Sequence, residues 1–358
     1  MTSSGKGSRK KPVQFREYQR LFNAFRTAGQ LSNNHPGRTA LDLFDRCLKE
    51  VINEVEAGGT LESLGRDRSE RIAAIHAMAY DRFHRRAQLR GKPLLFYTYV
   101  DFEIPGCKPE SLRVAAAPLD FKTEGLYNDV DGLCEFKPDA IAPVTTRLTG
   151  MVQDFVRQDS QLMCFPELCL PESKIDDIVK EVCNSKVLAV IGTYHSLRER
   201  SNVAVVVTPN GKVYRQHKAN RSRLENIEPA PYAPIFVFRS RDFNLISLTC
   251  LDVEHPSLQY DLLELRHEGK AIDIILNPSM TPRPDRARSK LTELAHKVCA
   301  MAVFVNNHRS GGSFVFDMTA KSYSADFNTP QVFELPIAKL REFRGTLDGK
   351  HFVAPDGG

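Results

Sequence analysis

The sequence predicts an α/β protein, a large sheet system covered by helices, with further helices ahead of it. Three observations carry that prediction. From about residue 111 onward, short apolar runs alternate with amphipathic stretches, the texture of strands interleaved with helices. Several of these runs, "VLAVIGTY" and "NVAVVVT" among them, are apolar on both faces, which suits strands buried inside a covered sheet. Hydrophobic residues make up 42% and charged residues 26% of the 358-residue chain, the balance of a globular protein with ample material for a core.

The elements follow in order. The first dozen or so residues, with "SGKGSRKKP", are polar and basic and read as a solvated arm. Phe44, Cys47, Leu48, Val51, Ile52 and Val55 recur at spacings of three and four, so residues 38–57 form an amphipathic helix that stops at Gly58 and Gly59. A second helix, about 62–89, opens after Thr60 and turns Ile72, Ile75 and Phe83 inward. Strands are expected at 113–118, 161–166, 187–194, 202–208, 212–218, 245–250, 271–277, 302–307, 313–317 and 331–335. Helical patterns fall at about 144–158, 173–184, 257–268 and 286–301. "TPNGK" is a turn signal joining strands 202–208 and 212–218. The organisation is then a basic arm plus mainly helical extension over 1–99, an α/β domain over 100–345 and a C-terminal tail over 346–358.

Composition narrows the partners. The apolar runs fall far short of the about 20 residues that span a bilayer, and the amino terminus lacks the apolar stretch of a signal peptide, so the protein is expected in the cytoplasm. The cysteines, at 47, 107, 134, 164, 169, 183, 250 and 299, form no CxxC pair and sit mostly in apolar segments, which argues for reduced thiols and against a disulfide framework or a zinc site. A net charge of +5 weakly favours anionic ligands; it does not require nucleic acid, although the basic arm leaves that partner open.

Three stretches place chemically capable residues just past strands: Glu167 in "CFPELCLPE", Lys218 in "GKVYRQHK" and Cys250 in "LTCLDVEHP". Loops gather at the carboxyl ends of sheet strands, where α/β proteins bind ligands. Each residue also has an ordinary explanation, as a helix cap, a solvated lysine and a buried thiol. In order, context and spacing, however, the three resemble the Glu-Lys-Cys triad of the nitrilase superfamily, the carbon-nitrogen hydrolases. "RVAAAPLDF", "IGTYHSLRERSNVAVVVTPNGKVYRQHK", "DIILNPS" and "VNNHRSGGSFVFD" look like the flanking strands of that family, and the resemblance covers about 111–345.

The resemblance implies a nitrilase-like αββα sandwich, four-layered on dimerisation, behind a helical N-terminal extension, with a homodimer or larger homo-oligomer as the assembly. It implies hydrolysis of a non-peptide carbon-nitrogen bond, in an amide, ureide or carbamoyl group more readily than a nitrile, through a cysteine thioester. Cys250 is the implied nucleophile, Glu167 the base and Lys218 the ammonium beside thiolate and oxyanion, with the backbone N–H of Leu251 completing the oxyanion site. A free thiol has a pKa of about 8.5, so a neighbouring base or cation is expected to raise the thiolate population. No metal and no organic cofactor is needed, because nucleophile, base and electrophile are all side chains. Family members often carry a second glutamate between lysine and cysteine; Glu225 is the candidate and Glu228 its competitor. Asp252 and Glu254 are expected to shape the turn at the cysteine through backbone hydrogen bonds.

The sequence departs from the family pattern around the pocket. "ANRSRL" replaces the usual histidine-leucine after the lysine, His255 stands where an aromatic precedes the proline, and "MTPRPDRARSK" follows "NPS". Arg221, Arg223, Arg283, Arg286 and Arg309 fall in loops expected at the pocket mouth, either as a fork for a carboxylate or phosphate on a small amide-type substrate or as a solvated rim. Two other functions suit the same sequence: transfer of the acyl group to an amine, which shares the acyl-enzyme, and a nitrilase-like binding or interaction protein.

Overall fold

The computed structural model describes residues 46–53, 75, 78, 79, 94–106, 110–119, 125–228, 232–255, 258–267, 269–307 and 309–351. The chain divides into two compact units, Met1–Phe96 and Tyr97–Gly358. In the first, residues 46–53 are helical, and Cys47 and Val51, four apart on one face, are fully buried. The rest of the helix expected at 38–57, nearly all of the one at 62–89, the basic arm and Cys107 lie outside the described residues.

In the second unit the strands run β1 (Leu94–Asp101, which the division crosses), β2 (Leu112–Ala116), β3 (Tyr127–Val130), β4 (Leu133–Phe136), β5 (Leu162–Cys164), β6 (Leu188–Ser196), β7 (Ser201–Val207), β8 (Val213–His217), β9 (Tyr232–Arg239), β10 (Asn244–Ser247), β11 (Ile274–Ser279), β12 (Met301–Asn306), β13 (Phe314–Asp317), β14 (Ser322–Tyr323) and β15 (Gln331–Leu335). The helices are α1 (Pro138–Arg157), α2 (Ile175–Ser185), α3 (Leu258–His267), α4 (Pro284–Val298) and α5 (Ile337–His351). One sheet has the order β15-β2-β5-β6-β7-β8 and the other β1-β9-β10-β11-β12-β13-β14, with β3 and β4 as a separate hairpin.

The two sheets face each other, β5 against β11 and β2 against β12. Helices cover the outer faces: α1 and α2 lie over the first sheet, and α4, with α3 against it, over the second. Alternation along the strands explains the layering. Ala115, Met163, Ala189, Ile191, Val203 and Val205 join Val144, Leu148, Val152 and Phe155 of α1 in one core, while Val114, Leu162, Val190 and Val206 point to the other face and are equally buried. Both faces of the central strands are therefore dry, as their unbroken apolar runs require. All four layers come from a single chain, so the expectation that they arise on dimerisation is corrected: subunit pairing is not needed to complete the sandwich.

Every strand expected from the sequence is present within a few residues, and the structure adds β1, β3, β4, β9, β14 and helix α5. The β3-β4 hairpin turns at Asp131-Gly132, both with positive φ (53° and 76°), an Asp-Gly turn signal that the sequence displays. Helix α5 runs to His351, so the boundary expected at 345 falls inside it. Its Arg344 is buried and donates to Asp273 Oδ1 at 2.9 Å and to the carbonyls of Ile272 and Cys299. The seven described cysteines are all free. Among the described residues, no helix is long and apolar enough to cross a membrane.

Candidate active site

Glu167, Lys218 and Cys250 follow three strand ends, and the facing of the two sheets brings them together. β5 ends at Cys164, and Glu167 sits beyond it, buried, in a turn where Leu168 takes φ 54° and donates its N–H to Thr193 Oγ1 at 2.9 Å. Lys218 follows β8 directly and is tied to β7 by its N–H, which donates to the Asn202 carbonyl at 2.8 Å. Cys250 belongs to no strand: β10 stops at Ser247 and the cysteine opens a short 3-10 turn, Cys250–Glu254, so the strand expected to run through it ends three residues earlier. Its φ is 48°, a left-handed conformation that costs a non-glycine residue on the order of 1–3 kcal/mol and is seen where surrounding contacts enforce it.

Those contacts are visible. Thr249 and Asp252 form a reciprocal capping box around the turn, with Thr249 N–H donating to Asp252 Oδ2 at 3.2 Å. Asp252 Oδ1 accepts the N–H groups of Ala219 and Asn220 at 2.9 and 2.8 Å, and Asn220 Nδ2 donates to the Leu251 carbonyl at 2.8 Å. The residues right after the lysine are thus bonded to the turn that carries the cysteine. Burial pushes the Asp252 carboxyl up to about 7, against the pull of Lys218 and the three N–H donors. Asn277 Nδ2 holds the carbonyls of Leu248 and Cys250 from below.

The functional groups form one buried network. The charges of Glu167 and Lys218 both act on the Cys250 thiol. Lys218 Nζ donates to Glu167 Oε1 at 2.7 Å and to Glu225 Oε2 at 2.6 Å. Glu167 Oε2 accepts the Met280 N–H at 2.8 Å. Of the two candidate accessory acids, Glu225 therefore meets the lysine. Glu228 is exposed and pairs with Arg200 at 3.0 Å.

Two residues that sequence reasoning missed complete the network. Asn202 Nδ2 donates to both carboxylates, to Glu167 Oε1 at 2.9 Å and Glu225 Oε1 at 2.8 Å. His195 Nδ1 accepts the Cys134 N–H at 2.7 Å, which leaves Nε2 as the protonated nitrogen facing Glu225 Oε1 at 3.3 Å. His195 and Asn202 are direct partners across the β6-β7 ladder and so share a face. They stand in "YHSLRERSN", whose polar texture resembles an exposed turn.

Electrostatics separates the two glutamates. Burial raises the Glu167 carboxyl above the ordinary carboxylate range, and Lys218 does not fully offset it. Burial would raise Glu225 too, but the His195 hydrogen bond, Lys218 and Asn202 together hold it far below that range. Burial works against the Lys218 ammonium, yet the carboxylates of Glu167 and Glu225 keep it firmly protonated. Burial and the Glu167 charge push the Cys250 thiol up, outweighing the lysine. Cys250 is thereby held as the neutral thiol, against the expectation of an enlarged thiolate population. The two carboxylates thus sit in environments that drive them apart: Glu225 stays an anion and Glu167 can carry a proton.

A depressed carboxyl contributes stability that is present above its ordinary range and lost as pH falls below it. Glu225→Gln is therefore expected to lose less unfolding free energy than the parent between about pH 5 and pH 3 in urea titrations. An unchanged acid loss would show that Glu225 ionises like a surface acid.

The remaining expected residues lie around this centre. Leu251 supplies the second residue of the cysteine turn. Glu254 does not act through backbone hydrogen bonds as expected; it pairs bidentately with Arg286 near the start of α4, at 3.1 and 2.7 Å, tying the turn to that helix. Arg283 is exposed immediately before α4, and Arg309 is exposed beyond β12. Arg221 and Arg223 are exposed and, with Gly132, Ser222, Leu224, Glu225 and Asn226, line a cleft of about 520 Å³.

Two face-to-face sheets between helix layers are the αββα layering that the sequence predicts. The chain is similar in structure to a CN-hydrolase superfamily protein of Xanthomonas campestris with an arsenic adduct in its active site, at 16% identity and a TM-score of 0.53, over 68% of this chain and 99% of that one. It is similar also to Saccharomyces cerevisiae Nit3, a member of branch 10 of the nitrilase superfamily, at 14% identity and a TM-score of 0.53, over 70% of this chain and 98% of that one. No family profile and no curated protein matches the chain in sequence. At such identities the likeness establishes the fold.

Proposed function

We propose that this protein is a carbon-nitrogen hydrolase that cleaves a small amide, ureide or carbamoyl compound through a thioester on Cys250. One observation carries the reading: Glu167 is buried with its Oε1 2.7 Å from the Lys218 ammonium, and its charge acts on the Cys250 thiol. A structural ion pair has no need of a thiol within reach of its charges.

The chemistry follows from the protonation states. As Cys250 Sγ attacks the substrate carbon, its proton moves to Glu167, and charge develops on the substrate oxygen. The Lys218 ammonium and the Leu251 N–H stabilise that charge. Glu167 then gives the proton to the leaving nitrogen, the carbon-nitrogen bond breaks, and an amine and a thioester remain. Water enters, loses a proton to Glu167 and attacks the thioester; the acid leaves and the proton returns to sulfur. Glu225 remains charged throughout, so Lys218 stays cationic even while Glu167 is neutral.

The test is rapid-quench intact mass spectrometry across a panel of amides, ureides, carbamoyl compounds and nitriles, followed by peptide mapping. A turned-over substrate should leave a transient acyl mass on Cys250. Glu167→Gln keeps an acceptor and loses the base, so its turnover should fall by about 10²- to 10⁴-fold. Turnover with the adduct on another residue, or undiminished in Glu167→Gln, would overturn the proposal.

A further inference from the structure

We infer that the substrate is an anion, a carboxylate- or phosphate-bearing amide whose charge is received by Arg221 and Arg223; this rests on the hydrolase reading and specifies its substrate class. The cleft that these arginines line is walled by Glu225, the same residue that accepts Lys218 Nζ at 2.6 Å. Asn220, the residue before Arg221, donates its side chain to the Leu251 carbonyl at 2.8 Å and its N–H to Asp252 at 2.8 Å, so the basic lip is bonded to the turn that holds Cys250.

The charge in this cleft is uncompensated. Among the described residues Arg286 is neutralised by Glu254, Arg288 by Asp326 and Arg200 by Glu228, whereas neither Arg221 nor Arg223 has an ion-pair partner. The one carboxylate in the lining, Glu225, is already taken up by Lys218, Asn202 and the Ser222 N–H at 3.1 Å. On the neighbouring hairpin, Asp129 accepts the Gly132 N–H at 2.7 Å, and neither Asp129 nor Asp131 lines the cleft. The lip is held in place: Asn226 N–H donates to the Gly132 carbonyl at 3.1 Å, its side chain to the Asp131 carbonyl at 3.0 Å, and Ile227 is fully buried. Two guanidinium groups on an anchored loop, with the nearest acid spoken for, form a receptor for an anionic group. Glu167, Lys218 and Glu225 are paired with one another, so the unpaired charge on this side of Glu225 is that of the two arginines.

The experiment uses the full chain and two alkylating reagents that differ in charge. Cys250 modification by iodoacetate and by iodoacetamide is followed by peptide mapping in the parent, Arg221→Gln, Arg223→Gln and Arg223→Glu. The arginines are exposed, and matching thermal transitions establish that each variant is folded. The iodoacetate-to-iodoacetamide rate ratio should drop about three- to tenfold in each glutamine variant, more in Arg223→Glu, and should collapse toward the free-thiol ratio in high salt. If both reagents modify Cys250 and the ratio is indifferent to variant and salt, the anionic class is wrong and the hydrolase reading stands. If neither reagent reaches Cys250 while other thiols react, the cleft does not lead to that cysteine and this inference falls, while the hydrolase reading is judged by the acyl-adduct experiment.

Discussion

Cys250→Ala should lower turnover of any substrate identified in the panel by about 10⁴- to 10⁶-fold, the cost of removing a covalent nucleophile from an otherwise intact site. The fold should barely register the change. Glu167 keeps its bonds to Lys218, Asn202 and the Met280 N–H, and the left-handed turn at residue 250 is enforced by Asp252 and Asn277 instead of by the sulfur. The unfolding transition should therefore move by less than about 1 kcal/mol, since only one half-buried sulfur is lost. Cys250→Ser should be almost as inactive, because Glu167 is poised to take a proton from a thiol and a hydroxyl is far less acidic. Steady-state kcat/KM on parent and variants is the measurement. Retention of more than about a hundredth of the parent rate in Cys250→Ala would remove this residue from the chemistry.

Lys218→Met should strike stability as hard as activity. The lysine is the cation shared by two buried carboxylates, at 2.7 and 2.6 Å, and its removal leaves Glu167 and Glu225 as uncompensated buried charges. Breaking a buried pair in this way costs about 3–5 kcal/mol. The pH dependence gives the sign. In the parent, Glu225 is held below the ordinary carboxylate range, so its contribution is present above that range and lost on acidification. In the variant, burial is left opposed only by neutral donors, and the carboxyls shift upward. Stability is then present at acid pH, where they are neutral, and lost as pH rises through their raised values. Relative to the parent, Lys218→Met should thus recover on acidification from about pH 8 to pH 5, and adding Glu225→Gln should restore part of the loss at neutral pH. A variant as stable as the parent at neutral pH would mean that the lysine is not the hub of this network.

Much of this centre could be read before any coordinates. Glu167, Lys218 and Cys250 each follow a recognisable apolar run, and the order of their motifs resembles a known family. Asp252 sits three residues after Thr249, the spacing of a capping box. Other features were beyond the sequence for identifiable reasons. Glu225 and Glu228 are both loop acids after the lysine, and only the path of the loop, pinned at Gly132 and Arg200, turns one toward Lys218 and the other toward solvent. Glu254 looked like a companion to Asp252, yet its partner is a guanidinium on a helix that begins beyond the next strand. Strand β9 escaped notice because Pro234 interrupts its run, and proline argues against a strand interior.

By itself the sequence determined the residue types, their order and the periodicities that make strands and helices; these are local properties, carried by side-chain alternation and turn chemistry. The tertiary structure decided which polar groups meet and which protonation states they hold. Pairing His195 with Asn202 across β6 and β7 puts both on one face, the apposition of two sheets lays Met280 against Glu167, and burial keeps Cys250 a thiol while Lys218 stays charged. Register and burial arise from contacts between segments distant in the chain, and the energies of buried charges depend on those contacts more than on the identity of any one residue.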